Sequence, residues 1–166
     1  MGAEGRKREN ELAVREFRME DAARASEILL TVREAASWSS QGLTEFVTLP
    51  GVVALISERG GKATGFILGR MTVDEAEVLN LAVLAECRRQ GEGRALLEEL
   101  LRRFAESGVS RVFLEVRESN RAAMVFYEKQ GFRRAGRRED YYQDPREAAL
   151  VFEKNEDSTR LVPNTS

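Results

Sequence analysis

Val78-Leu79-Asn80-Leu81-Ala82-Val83-Leu84, followed after three residues by Arg88-Arg89-Gln90-Gly91-Glu92-Gly93-Arg94, decides the fold of this chain. The first stretch is a short apolar run and reads as a buried strand. Beyond the second, Leu96, Leu97, Leu100, Leu101 and Phe104 fall on one helical face. A strand, a glycine-bearing loop and a helix thus follow one another directly. The start of a helix carries N–H groups without intrahelical acceptors and the positive end of the helix dipole, so this junction can seat a phosphate. Gly91 and Gly93 allow close backbone approach, and Arg88, Arg89 and Arg94 can add charge-assisted bonds. Neither Gly-x-Gly-x-x-Gly nor Gly-x-x-x-x-Gly-Lys-Ser/Thr occurs here, which excludes two common nucleotide motifs. On spacing alone, a plain left-handed turn into a helix with solubilising arginines fits equally well.

Outward from this junction, Leu12 to Arg18 alternates as a first strand, and Met19 to Ala36 reads as a helix with Glu20 and Asp21 in its first turn. A short helix around Gly42 to Leu49 ends at Pro50. Gly51 to Ile56 and Thr64 to Val73 form a hairpin about Gly60-Gly61, and Glu75 to Leu84 is the next strand. The helix after the glycine loop stops at Gly108, Arg111 to Val116 is a strand, and Ser119 can cap a helix running to Gln130. Phe132 to Arg138 and Ala148 to Phe152 close the series. The predicted order is β-α-α-β-β-β-α-β-α-β-β, a mixed α/β sheet with helices on both faces and one right-handed βαβ crossover. Residues 1–11 read as a flexible charged tail, 12–154 as the folded domain, and 155–166 as a polar tail expected to be disordered.

The 166 residues suffice for one domain with a core, and a formal net charge of -2 gives no general pull toward nucleic acid or an anionic membrane. No apolar run approaches membrane-spanning length and the first eleven residues do not resemble a secretory signal, so a cytoplasmic location is expected. Cys87 is the only cysteine and histidine is absent. Those two counts exclude an intramolecular disulfide, Ser–His–Asp and Cys–His nucleophile pairs and histidine zinc sites. Proton transfer must use Asp, Glu, Lys, Tyr, Cys or water.

Glu115 interrupts Val112-Phe113-Leu114-x-Val116, a run that reads as apolar on both faces. A carboxylate there either faces a cleft, where it can act as a general base, or sits at the wet strand end paired with Arg117 or another arginine. Tyr127 lies on a helix face with Ala123 and Gln130; it can protonate a departing thiolate or be an amphipathic core tyrosine. Asn120, at the start of that helix, is a cap or a ligand. Trp38, Tyr141 and Tyr142 either line a substrate groove or cover the core. Cys87 reads as a loop or core residue, since no base is at hand to activate it.

Leu79-Asn80-Leu81-Ala82-Val83, Arg88-x-x-Gly91-x-Gly93, Leu114-Glu115-Val116-Arg117-x-Ser119-Asn120 and Ala123-x-x-Phe126-Tyr127-Glu128-Lys129-x-Gly131-Phe132 together resemble the GCN5-related N-acetyltransferases. Within that superfamily the likeness is greatest to the RimI-type ribosomal-protein-alanine N-acetyltransferases. It runs from about residue 12 to residue 154, and includes Trp38-Ser39 and the ending from Tyr141-Tyr142 through Asp144 to Phe152. The resemblance implies the GNAT fold, a mostly antiparallel sheet whose central strands splay apart. It implies acetyl-CoA as co-substrate and no metal. Backbone groups of Leu81, Ala82 and Val83 would pair with the pantetheine arm, and the Val83 N–H would polarise the thioester carbonyl. Arg89, Gln90, Gly91, Glu92, Gly93 and Arg94 would hold the pyrophosphate, and Asn120 the arm. Glu115 matches the family's general base and Tyr127 its general acid. The implied partner is a protein N-terminus, that of a ribosomal protein, with no direct nucleic-acid or membrane contact.

The resemblance also implies direct attack by a free amine. An α-amine suits this better than lysine: with pKa values of about 8 and 10.4, roughly a tenth of the former and under a thousandth of the latter is neutral at pH 7. Two other readings stand beside it: the same fold acetylating a small-molecule amine or another protein, and a non-catalytic CoA-binding module, which has no need for Glu115 and Tyr127 together. Three positions depart from the family: Ala85 for a common proline, Cys87 for an aromatic residue, and Glu92 for an apolar one. A carboxylate beside a pyrophosphate is expected to weaken binding.

Overall fold

The computed structural model describes residues 10–32, 35 and 37–156. Its elements are β1 (Leu12–Glu16), α1 (Ala22–Leu30), α2 (Ser40–Phe46), β2 (Val52–Arg59), β3 (Lys62–Thr72), β4 (Glu75–Val83), α3 (Glu92–Glu106), β5 (Arg111–Arg117), α4 (Arg121–Lys129), β6 (Arg133–Gln143) and β7 (Arg146–Asn155). The element order is the one the sequence predicts, with 3-10 turns added at Met19–Asp21 and Ala85–Cys87. The parts assigned to tails, before residue 10 and beyond residue 156, lie outside the described residues. Two compact units are present: residues up to Arg70 together with Val78–Arg103, and Met71–Glu77 together with residues from Phe104.

In the first unit the strands lie in the order β1-β2-β3-β4, with β1–β2 and β2–β3 antiparallel. The β2–β3 turn is Gly60-Gly61, flanked by the Arg59–Lys62 pair, with φ of 55° and 75°. Both φ values are positive, as a two-residue turn matching strand twist requires. Ser57 pairs with Gly65 and Glu58 with Ala63, so Thr64 is an extra residue on β3, a bulge. From Thr64 to Gly69, β3 is buried on both faces. On one face Ile56, Phe66 and Leu68 join Ala25, Ile28 and Leu29 of α1 and Leu43 of α2 in a single cluster. On the other, a Cβ added at Gly65 would stand 3.1 Å from Leu96 Cδ1 of α3, so helices cover both sides of these strands.

The helix read from Met19 to Ala36 is shorter than that. Among its described residues only Ala22–Leu30 is α-helical, behind a 3-10 turn whose Asp21 carboxylate accepts the Arg18 N–H at 2.7 Å and the Arg15 guanidinium at 2.8 and 2.9 Å. Beyond Leu30 the chain tightens into i,i+3 turns: the Thr31 hydroxyl and N–H both donate to the Ile28 carbonyl, and Val32 N–H to Leu29. Residues 33, 34 and 36 lie outside the described set. The short second helix begins earlier than predicted because the Ser39 hydroxyl caps it, accepting the Gly42 N–H at 3.0 Å.

In the second unit the order is β5-β7-β6, both pairs antiparallel. β5 alternates rather than being apolar on both faces: Val112, Leu114 and Val116 are buried, while Phe113, Glu115 and Arg117 lie on a half-buried face. α4 is capped by Asn120, not Ser119; its side-chain oxygen accepts the Ala123 N–H at 3.1 Å. β6 and β7 run longer than predicted. β6 is polar along most of its length, so no apolar alternation marks its full extent; pairing with β7 carries it to Gln143 through two register shifts.

Gly65 sits in a tight place, since an added Cβ would meet the Ser57 hydroxyl oxygen at 2.5 Å. Gly65→Ala should lower stability by about 1–3 kcal/mol, read as a lower urea midpoint at unchanged m-value; an unchanged midpoint would show that the contact relaxes without cost.

Candidate active site

The first unit holds the turn into α3. Arg89, at φ 59°, and Gly91, at φ 84°, both take left-handed conformations. A non-glycine residue there is uncommon and is held by its surroundings. Space in front of Gly91 is open, with nothing within 4 Å of where its Cβ would be. The first intrahelical bond runs from Ala95 N–H to the Gly91 carbonyl at 2.9 Å. The N–H groups from Gly91 to Arg94 therefore precede the helical ladder and belong to its free end. This geometry fits a diphosphate: open space, a bare amide array and the positive end of a 15-residue helix.

The arginines of this loop are not equivalent. Arg88 donates from Nε to the Val83 carbonyl at 3.1 Å, clasping the end of β4. Arg94 pairs with Glu98 one turn along, at 2.7 Å on an exposed surface. Arg89 is exposed. Gln90 folds back, its amide nitrogen donating to the Glu86 carbonyl at 2.9 Å. Along β4, Leu81 and Val83 are half-buried while Asn80 and Ala82 are buried. Cys87 is half-buried, and its thiol is pushed up first by desolvation and then by the charges of Glu92 and Glu86. That favours the protonated thiol, consistent with a bystander.

Glu92 corrects the sequence reading. Its carboxylate does not stand beside the phosphate position; the side chain is fully buried, turned toward Ser57, Arg59 and Thr64. Only its N–H belongs to the loop's amide array. The expected weakening of anion binding by this charge loses its geometric basis.

The second unit holds a set of ionisable groups of its own. Glu115 projects from the half-buried face of β5 and pairs with Arg138 of β6, Nε to Oε1 at 3.0 Å. Glu115 also acts on the Tyr141 phenol, pushing it up. Of the sequence alternatives, pairing with an arginine is realised, by Arg138 rather than Arg117. Arg117 instead stacks its guanidinium 4.1 Å above the Tyr142 ring and reaches Glu147 at 3.4 Å. The Arg138 side chain is 60% exposed, and exposed pairs contribute about 0–1 kcal/mol. The pair is one that a competing cation can displace. The bulged stretch of β6 between Arg138 and Tyr142, with Asp140 at φ 51°, presents Arg138 and Tyr141 to Glu115.

Tyr127 is buried in an aromatic group, edge-on to Phe126 at 5.1 Å and Phe132 at 5.7 Å. Burial pushes its phenol above the ordinary value, so it holds its proton across the neutral range. Asn120 spends its amide oxygen on the helix cap and keeps its NH2 group as a donor. Trp38 packs on Phe46 at 4.9 Å, beside the core cluster of the first unit.

Glu77 is the residue that sequence reasoning missed. Its carboxyl is raised, first by desolvation, then by the charge of Glu115, with Arg138 opposing. Four groups thus share the field of Glu115: Glu77, Arg138, Tyr141 and Tyr142. The available signal was a pair of carboxylates, Glu75 and Glu77, at alternate positions where β4 begins.

The acetyltransferase (GNAT) family model matches residues 15–132. The ribosomal protein bS18-alanine N-acetyltransferase of Escherichia coli is 43% identical over 96 residues, which is 57% of this chain and 65% of that protein, so the match spans less than two thirds of the relative's length. A putative enzyme of the same name from Bacillus subtilis is 32% identical over 145 residues, 84% of this chain and 93% of that protein. The crystal structure of the Escherichia coli ribosomal-protein-S18-alanine N-acetyltransferase superposes with a TM-score of 0.79 at 30% identity, over 92% of this chain and all of that one.

The Tyr141 phenol is pushed up to about 12, chiefly by its hydrogen bond to Glu115. Glu115→Gln removes the carboxylate that favours the neutral phenol, so this transition should fall toward the ordinary tyrosine value of about 10. Ultraviolet tyrosinate titration, with Tyr141→Phe to assign the band, measures it. An unmoved transition would mean that Tyr141 and Glu115 are not in contact in solution.

Proposed function

This chain belongs to the acetyltransferase (GNAT) family, and from that premise we propose that it transfers an acetyl group from acetyl-CoA to a protein N-terminal α-amine. The acceptor proposed is the N-terminal alanine of a small-subunit ribosomal protein, in keeping with the names of its relatives. The observation that carries the reading is the turn into α3, with Gly91 at φ 84° and open space before it. Acetyl-CoA, when bound, supplies an acetyl group on a sulfur ester and a diphosphate by which to be held.

The chain's own residues then divide the work. The N–H groups of Gly91, Glu92, Gly93 and Arg94, with Arg89 and Gln90, would hold the diphosphate. Leu81, Ala82 and Val83 would hold the arm through backbone groups. The Val83 N–H, a donor, is the group proposed to orient the ester oxygen, as the family resemblance implies; the Val83 carbonyl accepts from Arg88. Asn120 would contribute its NH2 group.

Glu115 acts as the base, taking a proton from the incoming ammonium. Arg138 keeps a positive charge at this carboxylate in the free protein, and an acceptor ammonium can take its place. Tyr127 acts as the acid. Its raised phenol stays protonated at neutral pH, so a proton is available for the departing sulfur. In a chain without histidine, a carboxylate and a phenol are among the groups that can carry these protons.

Incubation with acetyl-CoA, followed by mass spectrometry, tests the assignment. A peptide beginning with alanine should gain one acetyl group at its α-nitrogen, in preference to polyamines and to lysine side chains. Glu115→Gln and Tyr127→Phe should each lower kcat by about a hundredfold or more, with the Kd for acetyl-CoA within threefold of the starting protein. Parallel loss of rate and affinity would assign both residues to structure, and preferred acetylation of a polyamine would overturn the proposed acceptor.

A further inference from the structure

Glu92 has no part in the proton transfers just described, yet its carboxylate is the most heavily engaged group near the glycine loop. It occupies the first position of α3 with its side chain fully buried. Oε2 accepts the Ser57 hydroxyl at 2.9 Å and the Thr64 hydroxyl at 2.7 Å, and Oε1 accepts Arg59 Nε at 2.6 Å. Arg59 extends the connection, donating to the Asn10 carbonyl at 2.7 Å and, more weakly, to the Gln90 carbonyl at 3.4 Å. A buried carboxylate is tolerated only with such a set of donors, because its desolvation must be offset in full.

The β2–β3 hairpin is shaped to supply them. The bulge at Thr64 departs from the regular register where its hydroxyl and that of Ser57 both reach Glu92. Gly65 leaves free the space that the Ser57 hydroxyl fills. Were the carboxylate turned outward, it would compete with an anion for the helix terminus. Turned inward at the first turn, it still complements the dipole while leaving the amides bare.

We infer that Glu92 is a positioning residue for the phosphate loop: its ion pair with Arg59 and its bonds to Ser57 and Thr64 fasten residues 90–92 to the β2–β3 hairpin and hold the amides from Gly91 onward in the array a diphosphate needs. The inference rests on the acetyl-CoA reading above. It adds an internal polar lock in a place where the resembled family carries an apolar residue. The lock acts by ordering the loop before the ligand arrives, which lowers the cost of binding.

A double-mutant cycle on the full chain tests it, read by calorimetric titration with acetyl-CoA and by amide hydrogen exchange of the free protein. Glu92→Gln removes the negative charge that Arg59 pairs with and turns one acceptor oxygen into a donor, and Arg59→Met removes the cation. Each should weaken acetyl-CoA binding about tenfold and speed exchange at Gly91 to Arg94, while β2 and β3 stay protected. The double variant should lose about tenfold as well, because both changes open one lock. Ser57→Ala, which deletes a single bond, should lose a few-fold and serves if the larger changes compromise folding. Unchanged affinity and exchange in Glu92→Gln and Ser57→Ala would overturn the inference, as would a hundredfold loss in the double variant, which would make Arg59 an independent ligand contact. Failure of the unmodified protein to bind acetyl-CoA would instead overturn the proposed function, and the exchange comparison would still decide whether the lock exists.

Discussion

A helix can offer its first amides to an anion only if the chain enters it without using them, and this constraint organises the first unit. The entry is made by Arg89 and Gly91 in left-handed conformations, and the first helical bond starts at Ala95. Around it the chain fastens three neighbouring side chains. Arg88 holds the end of β4, Gln90 folds back on Glu86, and Glu92 is drawn into the hairpin behind. The buried face of α3, with Leu96, Leu97 and Leu100 excluded from water, keeps the helix axis in place. What is left facing out is the polar backbone that the proposed diphosphate would meet.

The second unit solves a different problem, that of keeping a carboxylate usable in a protein without histidine. Glu115 lies on the half-buried face of β5, neither sealed in the core nor fully in water. Its ion-pair partner Arg138, and Tyr141, whose phenol it pushes up, come from an irregular stretch of β6. An exposed arginine gives little net stabilisation, so a substrate cation can replace it at low cost. Tyr127 shows the complementary device: burial among Phe126 and Phe132 keeps its proton on. In the proposed reaction a base made available by a weak pair acts with an acid made reluctant by burial.

Much of this was legible in the residues. The apolar run of β4, the leucine face of α3 and Gly60-Gly61 each follow one strong local rule, and the structure follows them. Legibility failed where long-range contacts overrule local pattern. β6 is polar nearly throughout, and only its pairing with β7 reveals its length. α1 stops early because the Thr31 hydroxyl and the backbone turns after it close the helix end. Glu92 is the clearest case. Its neighbours in sequence suggested a charge facing the phosphate, whereas the groups that draw it inward lie 28 to 35 residues earlier. Glu77 escaped notice for the same reason, since its surroundings are set by Glu115 and Arg138, far along the chain.

The central claim is that the amides opening α3 are the ones that meet the diphosphate. Backbone amide resonances of the nitrogen-15-labelled protein, followed while acetyl-CoA is added to saturation, report this atom by atom. The account predicts that Gly91, Glu92, Gly93 and Arg94 shift farthest downfield, as amides do on gaining an anionic acceptor. Saturable binding that leaves those four resonances in place would contradict it.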